Sequence, residues 1–423
     1  MEKSSRIPGL HRMTTAERIK AVQDFADLAS EEAAILGRSA VLDIETADRM
    51  IENVIGTFEI PLGVVPNMVV NGREVLVPLA VEESSVVAAL ANAAKMVRSG
   101  GGFFTSTSSP VMIAQIQAVG ISDPFGAKIK ILERLDEIIT LSNEQDPVLV
   151  KLGGGCRDVE VRVVDSVQGP MVVTHLLVDT RDAMGANAVN TMAEALAPKI
   201  EEWTGGKVFL RILSNLADRR IARARCTVKK DAIPPGPEVI DSIITAWAFA
   251  DADPYRAATN NKGIMNGISS LVIATGNDYR AIEAGAHAYA ARNGRYRALA
   301  RWEKDGEGNL VGSLELPLAM GLVGGATAIH PMAKLIVKVL GVKTATELAE
   351  IAAAVGLGQN LAALRALSSE GIQKGHMTLH AKNIATMVGA KGDEIETVAN
   401  RLAQEGKVRM DRAEEILKQL RKS

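Results

Sequence analysis

Between residues 112 and 213 the sequence alternates strand-like and helix-like stretches in an order that few folds satisfy. Residues 112–121 alternate like a strand, 126–142 carry the apolar spacing of an amphipathic helix, and 159–164 and 171–179 are two further strands. A helix over 185–203 and a strand over 207–213 complete a β-α-β-β-α-β series. That is the ferredoxin-like, split βαβ unit, which closes on itself. It therefore stands as an insertion that divides a larger domain in two. The division expected is 1–109 and 217–374 for the two parts of the large domain, 110–216 for the inserted one, and 375–423 for a helical, charged tail. The class is α+β, with a large, mainly helical domain around the insertion.

The flanks carry their own signals. Thr14 or Thr15 caps a helix reaching residue 29, Ser30 followed by Glu32 opens another, and 47–56 read as a third that ends at Gly56. Residues 60–81 hold short apolar runs about Asn71-Gly72, the signature of a hairpin. Residues 82–98 are an Ala-rich helix, and SGGGFFTSTSSP (99–110) reads as a boundary. After the insertion, Arg223 and Arg225 alternate with small apolar residues, and 231–238 (DAIPPGPE) break the chain before a helix running to Phe249. Further helices are expected over 276–292, 334–340 and 345–354.

Composition removes several classes of function. A net charge of -2 and 3% aromatics leave neither the basic footprint nor the stacking rings of a nucleic-acid binder. Two cysteines, Cys156 and Cys226, make no disulfide framework and suit a reducing cytoplasm. The opening MEKSSRIPGLHR has no apolar leader stretch, and the uncharged run 316–333 is interrupted by Pro317, Gly321, Gly324, Gly325, His330 and Pro331. A soluble protein with no membrane span is expected. No G-x-G-x-x-G opens a helix after a strand, and no P-loop occurs. His376 and His380 share a helical face without an intervening Glu, which gives no metal site.

Glycine-bounded polar stretches carry the remaining chemistry: LGGGCRD (152–158), RDAMGAN (181–187), NKGIMNG (261–267), ATGND (274–278) and GLVGGAT (321–327). Lys262, between Asn261 and Gly263, reads as an ammonium presented by a flexible loop, and Asp278 closes a strand-like run, SLVIATGND. A lysine held near an aspartate stays protonated and can polarise a carbonyl; a plain surface ion pair satisfies the same spacing. Glu82 and Glu83 stand at a strand-to-helix junction, where one acid can favour the helix N-terminus and the other can serve as a proton donor. His376, where the charged tail begins, suits late protonation of a leaving group.

Taken together, ENVIG (52–56), VPLAVEESS (77–85), GGGCRD (153–158), DAMGAN (182–187), RAATNNKGIMNG (256–267), ATGND, GLVGGAT and GIQKGHM resemble the class II, bacterial form of hydroxymethylglutaryl-CoA reductase. The resemblance runs over nearly the whole chain. It implies a four-electron interconversion of hydroxymethylglutaryl-CoA and mevalonate plus CoA, through mevaldyl-CoA hemithioacetal and mevaldehyde, with two nicotinamide cofactors. By that resemblance Lys262 stabilises the oxyanion, Glu83 supplies a proton in aldehyde reduction, Asp278 couples to both, and His376 protonates the CoA thiolate.

The same resemblance places Arg256 on the substrate carboxylate, with Ser85 and Asn266 bonding beside it. Ser84 stands where the family commonly has proline. The CoA phosphate is expected to meet His11 or Arg12. The inserted unit matches the family's non-Rossmann cofactor domain, with Asp182, Met184, Gly185, Ala186, Asn187 and Asn215 lining the groove. Asp146 stands where NADH-preferring members carry an acid; a carboxylate there accepts bonds from ribose hydroxyls and repels a 2′-phosphate, so NAD is favoured over NADP. A homodimer with its active site at the subunit interface is implied, with a trimer of dimers as a further assembly. Two other readings compete: an acyl-CoA transferase or lyase using Cys156 as nucleophile, and a non-catalytic CoA or nucleotide sensor.

Overall fold

The computed structural model describes residues 3–369 and 372–421, the side chains of 369 and 372–379 excepted. The chain opens with α1 (Thr15–Ala26), α2 (Ser30–Leu36) and α3 (Ile44–Asp48), then the hairpin β1 (Leu62–Val70) and β2 (Arg73–Ala80), helix α4 (Val86–Val97) and β3 (Phe103–Thr107). There follow β4 (Val111–Val119), α5 (Pro124–Leu132), α6 (Leu135–Glu144), α7 (Pro147–Lys151), β5 (Gly155–Val164), β6 (Met171–Asp179), α8 (Ala186–Thr204) and β7 (Lys207–Ser214). Next come β8 (Ile221–Val228), α9 (Val239–Ala252), α10 (Pro254–Ala274), α11 (Tyr279–Ala290), β9 (Ala300–Lys304) and β10 (Leu310–Pro317). The last elements are α12 (Gly325–Ile329), α13 (Pro331–Leu340), α14 (Ala345–Ser369), α15 (Ile372–Met387), α16 (Asp393–Glu405) and α17 (Met410–Leu420).

Two sheets organise these elements, and the class is α+β as expected. One is antiparallel throughout, in the order β5-β6-β4-β7, with α5, α6 and α8 packed against it. The other has six strands in the order β2-β1-β3-β8-β10-β9, antiparallel except where β1 meets β3. Its hairpin and the alternation of Arg223 and Arg225 along β8 are what the sequence displays of it. Asn71 and Gly72 both take left-handed backbone (φ 50° and 76°), the geometry that lets a two-residue turn follow the twist of its strands. Strand β3 lies inside the stretch read as a boundary, while β9 and β10 carry no long apolar run.

Helix α14 is the centre of the molecule, packed on α10, α4, α9, β3 and β8. Its first 24 residues, Ala345–Ser368, are long and apolar enough to cross a bilayer by composition, yet 72% of their most apolar stretch is buried inside the protein. A core helix explains that. Its contact with α10 is close because both helices carry glycine there: a Cβ on Gly267 would meet Val355 Cγ1 at 2.8 Å, and one on Gly356 would meet Ile268 Cδ1 at 2.6 Å. The expected loop NKGIMNG and the expected strand SLVIA are therefore both corrected. They are consecutive turns of α10, capped at its start by Asp253, whose carboxylate accepts from Arg256 N–H at 2.8 Å, and by Pro254 in the first turn. Two further expectations change. The helix over 47–56 is confined to Ile44–Asp48, and Asn53 beyond it is left-handed (φ 56°). The helix over 126–142 breaks at Arg134 (φ −109°, ψ 23°), whose guanidinium lies over the Trp203 ring.

The N-terminal segment is pinned by a partly buried ionic knot. Arg98 donates through both terminal nitrogens to Glu74, at 2.9 and 2.6 Å, and Ser5 gives Glu74 its backbone N–H at 2.8 Å and its hydroxyl as well. The Arg98 fork and the Ser5 bonds hold the Glu74 carboxyl down from 4.5 to about 2, against the opposing effect of burial. A lowered folded-state pKa contributes stability above the ordinary carboxylate range and loses it as pH falls toward the folded value. Wild-type stability is therefore expected to decline between pH 4.5 and about 2 partly through this group. Glu74→Gln should cost about 2 kcal/mol at neutral pH and flatten that decline, as urea titrations at a series of pH values will show. An unchanged acid limb in the variant would remove Glu74 from the account.

Candidate active site

The stripe of α10 that faces outward carries Tyr255, Thr259, Lys262, Asn266 and Ser269, spaced three and four apart. Its inner side explains why Lys262 points out. Asn260 and Asn261, the residues before it, are buried and enter an amide ladder. Trp302 Nε1 donates to Asn360 Oδ1 at 2.8 Å, Asn360 Nδ2 to Asn260 Oδ1 at 2.9 Å, and Asn260 Nδ2 to Asn261 Oδ1 at 3.2 Å. Asn261 also accepts from Leu299 N–H at 3.0 Å and donates to Arg297 C=O at 2.8 Å. A buried amide without partners is costly, so this network fixes the rotation of α10. The lysine is thus presented by a rigid helix, not by the flexible loop anticipated.

Across from it, β2 ends and the turn before α4 carries Glu83. Lys262 Nζ donates to Glu83 Oε2 at 2.7 Å, with the two side chains 61% and 40% exposed. The turn closes at Ser85, which takes left-handed backbone (φ 80°) at the N-cap of α4 without using its side chain as a cap. Neither Glu82 nor Glu83 caps that helix. Arg256 flanks the same stripe of α10. Burial pushes its guanidinium below the usual value, and no carboxylate among the described residues lies within ion-pairing distance of it. A half-buried cation with no internal counter-charge is suited to a carboxylate ligand. Asn266 is half-buried one turn beyond Lys262, and its carbonyl accepts the Ser270 hydroxyl at 2.5 Å.

Asp278 is not brought to this pair. It lies beyond the far end of α10, about 18 Å of helix rise from Lys262, where it caps α11 by accepting from the N–H groups of Arg280 and Ala281 at 3.0 and 3.1 Å. Its ion-pair partner is Arg280, at 3.3 Å. Of the N-terminal candidates, His11 and Arg12 are exposed in a single 3-10 turn, Leu10–Arg12, steadied by Arg18. His376 falls in α15, but its side chain lies outside the described residues.

Asp182, Met184, Gly185, Ala186 and Asn187 form the turn into α8 and its start, whereas Asn215 and Asp146 lie at the ends of other elements. Gly185 (φ 100°) is the N-cap of that 19-residue helix and provides no side-chain cap, so Ala186 and Asn187 begin the helix with its dipole available to an anion. Asp182 Oδ1 accepts from Ala345 N–H at 2.7 Å, tying the DAMGAN loop to the start of α14, and its carbonyl accepts from Leu322 N–H at 2.8 Å. Met184 lies against the GLVGG loop, where a Cβ on Gly321 would meet its backbone nitrogen at 2.6 Å. Asn215 is exposed after β7, with Gly285 of α11 close over its carbonyl. Asp146 caps α7, accepting from Leu149 N–H at 2.9 Å.

One residue of this region escaped the sequence reading. Arg220 is buried (5% exposed) and donates to the Thr180 hydroxyl at 3.0 Å, to the Ala183 and Met184 carbonyls at 2.9 and 3.3 Å, and to the Met320 carbonyl. In DRRIARARC it looks like one more surface base, and only the tertiary structure distinguishes it. Cys156, by contrast, is removed as a nucleophile. It is 2% exposed, and burial pushes its thiol up to about 11, leaving almost no thiolate at neutral pH. No group of three or more metal-ligating side chains occurs among the described residues.

A profile of the family described as "Hydroxymethylglutaryl-coenzyme A reductase" matches residues 14–381. The chain belongs to that family. It is similar to the 3-hydroxy-3-methylglutaryl-coenzyme A reductase of Archaeoglobus fulgidus, with 57% identity over 99% of this chain and 95% of the relative, and to a probable reductase of Borreliella burgdorferi, with 37% identity over 81% and 79%. Among solved structures it resembles the class II enzyme of Streptococcus pneumoniae bound to NADPH in open conformations, at 41% identity and a TM-score of 0.83 over 97% and 100% of the two chains. Membership in the reductase family makes the protein an oxidoreductase and gives the Lys262–Glu83 pair a chemical context. Lys262→Ala is expected to lower turnover by roughly 100-fold or more while moving the melting temperature little, since the side chain is 61% exposed. Turnover within tenfold of wild type would exclude Lys262 from the chemistry.

Proposed function

We propose that this chain interconverts hydroxymethylglutaryl-CoA and mevalonate plus CoA, with Lys262 and Glu83 as its electrostatic and proton-transfer centre. The observation that carries this reading is the 2.7 Å contact between them, with Arg256 six residues earlier on the same helix and joined to no carboxylate among the described residues. The nicotinamide cofactor, when bound, supplies one hydride to the thioester carbon and a second to the aldehyde. Arg256 grips the substrate carboxylate, with Ser85 and Asn266 beside it, and sets the thioester carbonyl against Lys262. The Lys262 ammonium then holds the oxygen on which negative charge develops. As the hemithioacetal collapses the C–S bond breaks, and His376 gives the departing thiolate a proton. In the second reduction Glu83 delivers the proton that the alkoxide needs.

The uncapped backbone N–H groups in the first turn of α8 and the carboxylate of Asp146 fit a dinucleotide, the former at its phosphates and the latter at its ribose, with Asp182 in the loop between. We read Asp146 as favouring NADH. The parts of the chain divide as the insertion suggests: 110–216 bind the cofactor as a ferredoxin-like unit, 1–109 and 217–374 bind substrate and CoA, with Arg12 or His11 at the CoA phosphate, and 375–423 close over the site. A cytoplasmic location suits the free thiols. Steady-state oxidation of NADH and NADPH in the presence of hydroxymethylglutaryl-CoA tests the reading. We expect turnover with both and a higher kcat/KM for NADH; turnover with neither would reject the reductase activity, and a preference for NADPH would reject the role given to Asp146.

The distance from Lys262 to Asp278 supports a site completed by a second copy. Ile55 and Phe58, in and just after ENVIG, are fully exposed, an arrangement that a subunit contact would cover. In a dimer whose two-fold axis brings Asp278 of one subunit to Lys262 of the other, inactive Lys262→Ala and Asp278→Ala chains should complement. Coexpressed in equal amounts, they should regain about a quarter of wild-type activity, because half of randomly assorted dimers are mixed and each mixed dimer holds one intact site. No recovery in mixed dimers isolated by dual tags would place Asp278 and Lys262 in the same subunit or outside one site.

A further inference from the structure

Two arginines in the glycine-rich motifs have no role in the chemistry above, and the backbone is distorted at both. Arg157 is the extra residue of a bulge in β5: Cys156 pairs with Val178 and Asp158 with Leu177, leaving Arg157 unpaired between them. A bulge of this kind re-aims a side chain. Arg181, two residues past the end of β6, takes left-handed backbone (φ 52°), an uncommon and strained choice for a bulky residue. Both distortions send a guanidinium to the same place. Arg157 Nη2 and Arg181 Nη2 each donate to the carbonyl of Gly153. Gly153 is itself left-handed (φ 82°), and a Cβ there would stand 2.9 Å from Arg181 Nη2.

One carbonyl offers two lone pairs, and these two bonds fill them, whereas each guanidinium carries five donors. Two like charges held at one oxygen repel one another unless an anion joins them. Inside the protein the compensation is incomplete: Asp179 lies 3.5 Å from Arg181 Nε, and Arg157 has no ion-pair partner among the described residues. The neighbouring Asp158 instead accepts from Val159 N–H at 2.8 Å. Both arginines remain accessible, Arg181 with 44% of its side chain exposed.

Their position says which anion. Gly153 follows the C-terminus of α7, whose other end is capped by Asp146, and Arg181 directly precedes Asp182 and the turn into α8. We propose that Arg157 and Arg181 form a two-pronged phosphate clamp for the dinucleotide cofactor, engaging its pyrophosphate while Asp146, about 8 Å away along α7, faces the adenosine ribose. This rests on the assignment of these two segments to the cofactor groove. Planar guanidinium forks suit adjacent phosphate oxygens, and the α8 N-terminus adds to the same field.

The test uses the full-length enzyme and Arg157→Gln, Arg181→Gln and the double variant. Each single change should raise KM for NADH and for NADPH by a similar factor, about tenfold, and leave KM for hydroxymethylglutaryl-CoA unchanged. Calorimetry separates phosphate binding from loss of loop structure. ADP-ribose, which contains the pyrophosphate, should bind about tenfold more weakly to each variant, while adenosine, which lacks it, should bind as it does to wild type. Arg→Lys at either position, keeping charge but not the fork, should recover part of the loss. A loss confined to NADPH would overturn the pyrophosphate assignment in favour of the 2′-phosphate. Unchanged KM for both cofactors, or equal weakening of ADP-ribose and adenosine, would overturn the clamp. Failure of the wild-type enzyme to bind ADP-ribose at all would instead refute the cofactor groove on which the proposal stands.

Discussion

A buried guanidinium ties the two sheets together. Arg220 stands one residue before β8 of the six-stranded sheet and turns its fork on the loop between β6 of the four-stranded sheet and α8, while one nitrogen reaches the Met320 carbonyl beyond β10. Taking such a cation out of water is costly, and burial pushes its pKa down to about 10; at neutral pH it still carries its charge. The cost is offset by a ring of hydroxyl and carbonyl oxygens and by the fields of Asp179 and Asp182, neither of which it contacts as a salt bridge. The consequence is geometric. Residues 180–184 cannot move without stripping donors from Arg220, so the loop that enters α8 is held at a fixed distance from the strand end and from the GLVGG turn. Asp182 and Asn277 extend the same restraint, the first to α14 through Ala345 N–H and the second to Gly321 N–H at 2.7 Å.

On the other side of the molecule, α10 is positioned by a different economy of polar groups. Its two consecutive asparagines are spent inward, on Asn360, Leu299 and Arg297, and its two glycines lie within the helix, where Gly267 lets α14 approach. The side chains left outward are Lys262, Asn266 and the Thr259 hydroxyl. That division places a flexible cation on a stiff support, which limits the conformational entropy lost when Lys262 meets Glu83 to that of the two side chains alone.

These same features decided what the sequence revealed. The hairpin was legible because Asn71-Gly72 names its own turn, and β6 because six of the nine residues from Met171 to Asp179 are apolar, three of them β-favouring valines; eight of the nine are buried. The strands β3 and β9 were not: FFTST and ARWEK are five residues each, and their inward positions gain meaning only beside β8 and β10. Helix α10 was misread as loop and strand because its signals were inverted. Asparagine and glycine ordinarily mark turns, and here tertiary partners satisfy both; the apolar run SLVIA has no period that separates a buried helix from a strand. Glu83, Lys262 and Arg256 stand out as candidates because whole motifs surround them. Arg220 had no local signature, since its burial depends on residues 40 and 100 positions away.

The exposure of the Lys262–Glu83 pair sets a further requirement. At 61% and 40% exposed, an ion pair is worth little, because water screens it and competes for both partners. An oxyanion held by Lys262 in that setting would be stabilised weakly compared with one in a water-excluded pocket, where the same contact gains several-fold in strength. Among the described residues the stripe of α10 faces outward, and Asp278 is turned to Arg280 at the far end of the helix. Covering surface must come from elsewhere, and the proposed function assigns it to two sources. A second subunit would add a permanent wall and a third charged group, and closure of the tail beyond residue 375 over bound substrate would exclude water during each hydride transfer and admit it again when CoA leaves.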